Sequence, residues 1–127
     1  MSPTDNTSTR ALAALDRLVA AFASNEESTY FGCCAPTARF VFPDTPEVAL
    51  GVEQYGTLWR GWRSEGWRVD KCVSTERDVL IVGDTAIVTH RVSTTLGDGT
   101  ELSERETVVF DLATSPHPLV VHEHLSA

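Results

Sequence analysis

After Gly66 the hydrophobic pattern changes from a helical period to a period of two, and this change most constrains the fold. Before it, apolar residues recur at three- and four-residue spacings over residues 11–23 and 51–64. After it, Val, Ile and Thr alternate with polar residues in runs that turn residues separate. Helices followed by consecutive strands predict an α+β fold, with the helices packed on one face of a strongly curved antiparallel sheet.

Three helices are predicted in the N-terminal half. The first covers residues 11–23. Ser24 followed by Glu27 has the spacing of a capping box, so a second helix is expected to run to about Cys34, before Pro36. The third covers residues 51–64. The predicted strands are residues 38–43, 67–74, 77–82, 85–96, 101–112 and 119–125.

Length and composition are typical of one globular domain. The chain has 127 residues, of which 42% are hydrophobic and 22% charged. We expect a single domain over residues 1–127, with residues 1–7 flexible and no leader or membrane anchor. Three cysteines without disulfide spacing are expected to be reduced and mostly buried, which favours a cytoplasmic location.

The net charge of −8 disfavours binding to nucleic acids, which depends on Lys and Arg. The segment LWRGWRSEGWRVDK interleaves three tryptophans with basic residues, as a surface that stacks bases would. However, the tryptophans fall at core-facing positions of a helix and a strand, so we interpret them as core. Neither a nucleic acid nor a membrane is expected as a partner.

Hairpin geometry places His90 beside a carboxylate. Directly opposed residues of an antiparallel pair face the same side of the sheet, and their numbers have a constant sum. If the GDG of residues 97–99 forms the loop, Leu96 opposes Thr100 and His90 opposes Glu106.

The same argument extends to the last strand. If Asp111 opposes Leu119 across the next loop, Glu106 opposes His124, and His122 lies on the same face two residues away. The four residues, which we call the polar row, are His90, Glu106, His122 and His124. A shift of one residue in the register would turn a partner to the other face. The opposite face is predicted to hold Arg91, Arg105, Thr107, Val109, Val121 and Glu123.

The opposite face mixes charged and branched apolar side chains, so it could meet solvent or a partner subunit. Arg105 is predicted to pair with Glu123 or with that subunit.

The chain resembles the SnoaL-like branch of the nuclear transport factor 2-like superfamily. The resemblance rests on LDRLVAAFASNE, FGCCAPTARFVFP, GVEQYGTLWRGW, VGDTAIVTHRV, LGDGTELSERETVVF and VVHEHLS. It implies a conical, bent sheet closed by helices around a deep pocket, a homodimer through the outer face, and no cofactor. The side chains that it implies around an apolar or aromatic ligand are Tyr30, Phe40, Phe42, Tyr55, Trp59, Val108 and Phe110.

Ketosteroid isomerase belongs to the same superfamily, so its catalytic positions can be compared with the residues of this chain. It uses a pocket carboxylate base, with a tyrosine and a protonated aspartate as the oxyanion hole. The corresponding positions here are Phe42, Leu18 and Glu106. Because two of the three are apolar, that mechanism is not expected.

Three interpretations of the polar row remain open. Imidazoles and a carboxylate could bind zinc, iron or nickel. Glu106 and a neighbouring histidine could instead act as acid and base. The groups could also orient a ligand or satisfy one another without catalysis. The leading hypothesis is a cofactor-independent isomerase, cyclase or hydrolase, and the alternative is a non-catalytic ligand-binding or homodimeric association module.

Overall fold

The computed structural model describes residues 3–127, with side chains from Asn6 onward. Three helices and six strands are formed in this part of the chain. In chain order they are α1 (Pro3–Ala23), α2 (Glu27–Phe31), β1 (Cys34–Val41), β2 (Ala49–Leu50), α3 (Val52–Ser64), β3 (Val69–Val82), β4 (Thr85–Leu96), β5 (Glu101–Asp111) and β6 (Leu119–Ser126).

The six strands form one sheet in the order β2-β1-β6-β5-β4-β3. The four C-terminal strands are antiparallel neighbours in chain order, as the alternating pattern predicts. β1, however, pairs with β6 in parallel, so the sheet is mixed and the prediction of a purely antiparallel sheet is wrong. The helices are not all N-terminal to the sheet either, because β1 and β2 precede α3.

β1 begins four residues earlier than predicted, at Cys34, and therefore includes Pro36. A proline has no N–H for a ladder hydrogen bond, so it is tolerated where a strand is irregularly paired. Pro36 lies in such a place, since the pairing of β1 with β6 shifts register between Cys34 and Arg39. The second helix is correspondingly short and ends at Phe31.

The capping box predicted for Ser24 and Glu27 is not formed. The N-cap residue of α2 is Glu26, which makes no capping hydrogen bond with its side chain. The Glu26 N–H instead donates to the Ser24 hydroxyl, with a nitrogen-to-oxygen distance of 3.2 Å.

The two strands predicted over residues 67–74 and 77–82 are one continuous strand, β3. Its pairing with β4 shifts between Thr75 and Asp78, where one extra residue is accommodated. Glu76 adopts a positive φ of 53° at this point. Such a β-bulge bends a strand without ending it, so the turn-like segment is an irregularity within β3.

Asn25 fixes the end of α1 against the start of β3. Its side-chain oxygen accepts from the Val69 N–H and its side-chain nitrogen donates to the Val69 carbonyl, both at 2.7 Å. α1 ends at Ala23 as predicted but begins before residue 11, so residues 3–7 of the segment expected to be flexible are helical. Residues 1 and 2 lie outside the described part of the chain.

The core lies between the helices and one face of the sheet. Its largest fully buried side chains include Trp59, Phe40, Phe110 and Leu15. Trp62 and Trp67 are partly buried against the same core, which confirms the interpretation of the tryptophan-rich segment as core. Within residues 3–127, no helix combines the length and the apolar character needed to cross a bilayer.

The cysteines agree with the sequence prediction. All three are free thiols, with Cys33 and Cys34 buried and Cys72 partly buried.

Candidate functional site

A cavity of about 370 Å³ lies between the helices and the inner face of the sheet. Most of its wall is apolar, with side chains from α1, α3, the segment after β1 and the strands. β4, β5 and β6 also contribute a group of polar side chains. A mostly apolar cavity of this size with a few converging polar groups is typical of a small-molecule site. Its aromatic wall residues are Phe22, Tyr30, Phe42, Tyr55, Trp62 and Trp67.

His90 and Glu106 form the centre of the polar wall. β4 and β5 pair in the register predicted from the GDG loop, and His90 is directly opposite Glu106. The His90 Nε2 and Glu106 Oε1 atoms are 2.7 Å apart. Both residues are buried and line the cavity. This half of the predicted polar row is confirmed.

His122 and His124 do not join them. Asp111 opposes Leu119 as predicted, but between Val109 and Phe110 the register with β6 shifts by one residue. The extra residue is Val121, which is a β-bulge in β6. The shift places His122 opposite Val109 and His124 opposite Thr107, on the outer face. The predicted placement of both histidines in the cavity is therefore wrong.

The same bulge turns Glu123 inward. Glu123 was predicted to lie on the outer face with Arg105, but it is 2% exposed and lines the cavity. The predicted pairing of Arg105 with Glu123 is therefore wrong. No pattern in the sequence marks the bulge, so simple alternation assigns Glu123 to the wrong side.

Glu106 and Glu123 form a buried carboxyl pair, which is connected to two tyrosines. The two carboxyl groups are joined by a side-chain hydrogen bond. The Tyr30 hydroxyl donates to Glu123 Oε2 at 3.0 Å, and the Tyr30 and Tyr55 hydroxyl oxygens are 3.2 Å apart. Sequence reasoning identified Tyr30 and Tyr55 as cavity residues but missed the carboxyl that joins them to Glu106.

Burial controls the protonation of the pair. It raises the pKa of the Glu106 carboxyl to about 8, with a lowering contribution from the hydrogen bond with Glu123 and a further increase from the charge of Glu104. The pKa of Glu123 is also raised, first by burial and then by the charge of Glu106. The hydrogen bond between them favours the ionised form of Glu106 and the protonated form of Glu123. As pH rises, the pair therefore loses its two protons in separate steps, with one carboxyl ionised while the other is still protonated.

His90 is held between Glu106 and Ser74. The Ser74 Oγ and His90 Nδ1 atoms are 2.6 Å apart, and Arg77 Nε donates to the same Ser74 oxygen at 2.9 Å. With its oxygen accepting from Arg77, the Ser74 hydroxyl can donate to Nδ1, which favours the imidazole form with its proton on Nε2. Burial, and then the charge of Arg77, lowers the pKa of His90 to about 4. His90 is therefore neutral at neutral pH.

The predicted ligand-binding residues divide into two groups. Tyr30, Tyr55 and Phe42 line the cavity. The other four are fully buried in the core and do not line it, so their predicted contact with a ligand is not supported by the structure. These core residues are Phe40, Trp59, Val108 and Phe110. Their spacing correctly places them on the inner face, but packing beneath the helices covers them.

The three positions compared with ketosteroid isomerase lie around the same cavity. Leu18, Phe42 and Glu106 all line the cavity. Glu106 is the one titratable group among these three positions.

The interpretation of the polar row as a metal site loses two of its ligands, since His122 and His124 face away from Glu106. Among the residues with described side chains, no group of three or more His, Cys, Asp or Glu is arranged to hold a metal ion.

Two further acidic residues line the cavity and were missed. Glu104 precedes Glu106 by two residues and shares its face, so strand alternation could have identified it. Asp44 lies in the loop after β1, where no periodicity assigns a direction.

Solved structures of low sequence identity share this fold. A candidate calcium/calmodulin-dependent protein kinase II association domain from Xanthomonas campestris is 24% identical, with a TM-score of 0.72, over 93% of this chain and 86% of that one. A candidate ketosteroid isomerase from Parabacteroides distasonis is 16% identical, with a TM-score of 0.73, over 91% and 83%. A candidate dehydratase of the nuclear transport factor 2-like family from Streptomyces avermitilis is 18% identical, with a TM-score of 0.74, over 96% and 97%.

None of the curated proteins matches the chain. The family model of the SnoaL-like domain matches residues 11–127, which is nearly the whole sequence and includes every residue of the cavity wall. The mixed sheet and the three helices agree with that match and with a solved nuclear transport factor 2-like structure. The chain belongs to the SnoaL-like domain family, and it shares the fold of the solved nuclear transport factor 2-like structures.

Proposed function

We propose that the protein is a cofactor-independent enzyme of the isomerase or dehydratase type, which moves a proton on a small apolar molecule bound in the cavity. The observation that carries the proposal is the buried pair of Glu106 and Glu123 on the cavity wall, with Glu106 held by His90 at 2.7 Å. Structural purposes alone rarely require two buried carboxyls in contact, because their desolvation is costly. Carboxyl pairs in which one group binds its proton more tightly than the other are typical of acid–base sites.

The pair can supply both a base and an acid. With one proton on the pair, one carboxyl is ionised and the other is protonated. The Glu106 carboxylate would take a proton from a carbon next to a carbonyl group, while the O–H of protonated Glu123 would turn from Glu106 to the negative oxygen that develops. Return of the proton to another carbon completes an isomerisation. Transfer of that proton from Glu106 to a neighbouring hydroxyl group, which then leaves as water, completes a dehydration instead.

His90 positions the base in this mechanism. Because its imidazole is neutral and fixed by Ser74, it orients Glu106 without adding a charge to the cavity. The candidate isomerase and candidate dehydratase of the same fold support this reaction class. The base differs from that of ketosteroid isomerase, since the corresponding position is Phe42.

Glu106→Gln is expected to reduce catalysed proton exchange by a factor of about 10² or more, the usual contribution of one acid–base group. The probe is 2-tetralone, a compact bicyclic ketone with acidic C–H bonds beside its carbonyl. NMR in D₂O follows deuterium uptake at those carbons, with the buffer rate subtracted.

His124→Gln provides the matched control, because His124 is exposed on the outer face. Its exchange rate is expected to equal that of the wild type. Equal rates for Glu106→Gln and the wild type would remove Glu106 as the base. A wild-type rate no higher than that of buffer would argue against this reaction class.

We also propose that two copies associate through the outer face of the sheet, a role that could accompany catalysis or replace it. Leu80, Ile87 and Val109 form an apolar row across three neighbouring strands of that face. Leu80 is 54% exposed and the adjacent Val82 57% exposed. Exposed apolar groups in one row favour a protein partner, and the candidate association domain of the same fold supports self-association.

Val109→Glu is expected to convert the dimer into a monomer, because it places a charge in the middle of the apolar row. Light scattering after size-exclusion chromatography measures the mass, and circular dichroism reports whether the variant folds. Val48→Glu is the control, since Val48 is an exposed apolar residue outside the row. A monomeric wild type, or a folded Val109→Glu dimer, would contradict the proposed interface.

The three free thiols favour a reducing compartment, so a cytoplasmic location is part of this proposal.

A further inference from the structure

The cavity wall carries acidic side chains and no strongly basic ones among the described residues. Four of its side chains are carboxyl groups, and within the described part of the chain no Lys or Arg lines the cavity. The remaining ionisable groups are the tyrosines, the Cys72 thiol and the His90 imidazole. The four carboxyl residues are Asp44, Glu104, Glu106 and Glu123.

Among the described residues, no cationic side chain on the cavity wall offsets these carboxyls. His90 is neutral, because burial lowers its pKa to about 4. Arg77 reaches His90 only through the Ser74 hydroxyl, and its guanidinium forms an ion pair with Asp16 on α1. An anionic ligand would therefore lose its hydration without gaining a counter-ion. The cavity disfavours carboxylates and phosphates.

The carboxyls lie at two depths. Glu106 and Glu123 are buried, whereas Asp44 is exposed and Glu104 is half-buried. The charge of Asp44 contributes to a raised pKa at Glu104, after burial, so the two groups are close enough to interact. We call Asp44 and Glu104 the entrance pair. A cation between them would keep part of its hydration, while a cation beside the deep pair would lose nearly all of it.

Aromatic rings line the same cavity as the entrance pair. Phe42 comes two residues before Asp44, and its ring centroid is 6.1 Å from that of Trp62. Trp62 in turn is 5.8 Å from Trp67, and all three rings line the cavity. Aromatic faces accept apolar groups and attract organic cations. The cavity thus combines an apolar interior with a negative, aromatic entrance.

We propose that the ligand is an organic amine in its ammonium form with an apolar or aromatic body. The body fills the cavity toward Tyr30 and Tyr55, and the ammonium group lies at the entrance pair. This inference rests on the proposed function in that it takes the cavity to be the ligand site. It goes further because it assigns the charge of the ligand and the residues that select it.

Three naphthalene compounds that differ in their end group test the proposal. They are 2-(2-naphthyl)ethylamine, 2-(2-naphthyl)ethanol and 2-naphthylacetate, and isothermal titration calorimetry at pH 7 measures their affinities. The amine is expected to bind about tenfold more tightly than the alcohol, which corresponds to two partly exposed ion pairs. The acetate is expected to bind more weakly than the alcohol. Added salt should reduce the preference for the amine.

Asp44→Asn combined with Glu104→Gln is expected to abolish the preference and leave the affinity for the alcohol unchanged. Glu65→Gln combined with Glu101→Gln removes the same net charge at exposed positions outside the cavity wall and should keep the preference. If the alcohol binds as tightly as the amine to the wild type, the assignment of an ammonium ligand is overturned and the cavity remains a ligand site. If none of the three compounds binds, the proposed function fails together with this inference.

Discussion

Replacing Trp59 with alanine is expected to lower the free energy of unfolding by about 3–5 kcal/mol, the usual cost of truncating a buried aromatic side chain. Trp59 is 1% exposed, and its ring contacts those of Phe22, Tyr30 and Trp67. Alanine would leave a cavity that these neighbours fill only in part. Because small domains are stable by only about 5–15 kcal/mol, a large share of the stability would be lost. Urea denaturation followed by circular dichroism measures it.

Trp62→Ala is the matched control. Trp62 lies one helical turn away on α3 but lines the cavity and is only partly buried. Its truncation enlarges a space that already exists, so the loss of stability should be clearly smaller. If Trp59→Ala cost no more than Trp62→Ala, the assignment of Trp59 to the core would be wrong and its predicted role in the cavity wall would be restored.

Stability is expected to fall as pH rises from about 6.5 to about 8. The folded-state pKa of Glu106 is raised to about 8 from an ordinary value of 4.5, so the folded state binds more protons than the unfolded state between these values. The raised pKa therefore contributes stability that is complete below pH 4.5 and is lost as the pH rises through the folded pKa of about 8. Glu106 alone contributes a decrease of about 2 kcal/mol over the upper 1.5 pH units. Glu123 acts in the same direction.

His90 acts in the opposite direction at lower pH. Its folded pKa of about 4 lies below its ordinary value of 6.5, so the unfolded state binds the additional proton between those values. Its contribution to stability is complete above pH 6.5 and is lost toward pH 4. Since it opposes the carboxyl contribution over that range, the net decrease should become evident above pH 6.5.

Urea denaturation at intervals from pH 5 to pH 9 measures this dependence. Glu106→Gln is expected to weaken it, and Glu106→Gln combined with Glu123→Gln to remove most of it. Glu101→Gln, at an exposed position of the same strand, should retain the wild-type dependence. A wild type whose stability is constant between pH 6.5 and pH 8 would show that the two carboxyls are not held in their protonated forms.

The β4–β5 hairpin could be predicted from the sequence down to individual partners. A short loop with two glycines fixes where two alternating strands begin to pair, and each later pair then follows from the constant sum of their numbers. His90 and Glu106 were placed correctly for this reason. Glu104 could have been placed by the same alternation.

The partners of the last strand could not be predicted with the same accuracy. The extra residue at Val121 depends on how β6 packs between β5 and the parallel strand β1, and that contact joins segments about 85 residues apart. Local patterns do not encode such a contact. Likewise, Phe40 and Phe42 alternate in the same way along the chain, yet only Phe42 lines the cavity. Periodicity gives the direction of a side chain but not what covers it.

The bulge at Val121 also suggests how related chains could acquire different chemistry. In a strand of strict alternation, removal of one residue exchanges the inward and outward sets beyond that point. If the same residues paired without the bulge, His122 and His124 would lie on the inner face and Glu123 on the outer face, whereas deleting Val121 itself would leave all three on their present faces. The presence of a bulge in this terminal strand thus decides which reactive groups face the cavity, while its apolar walls stay the same.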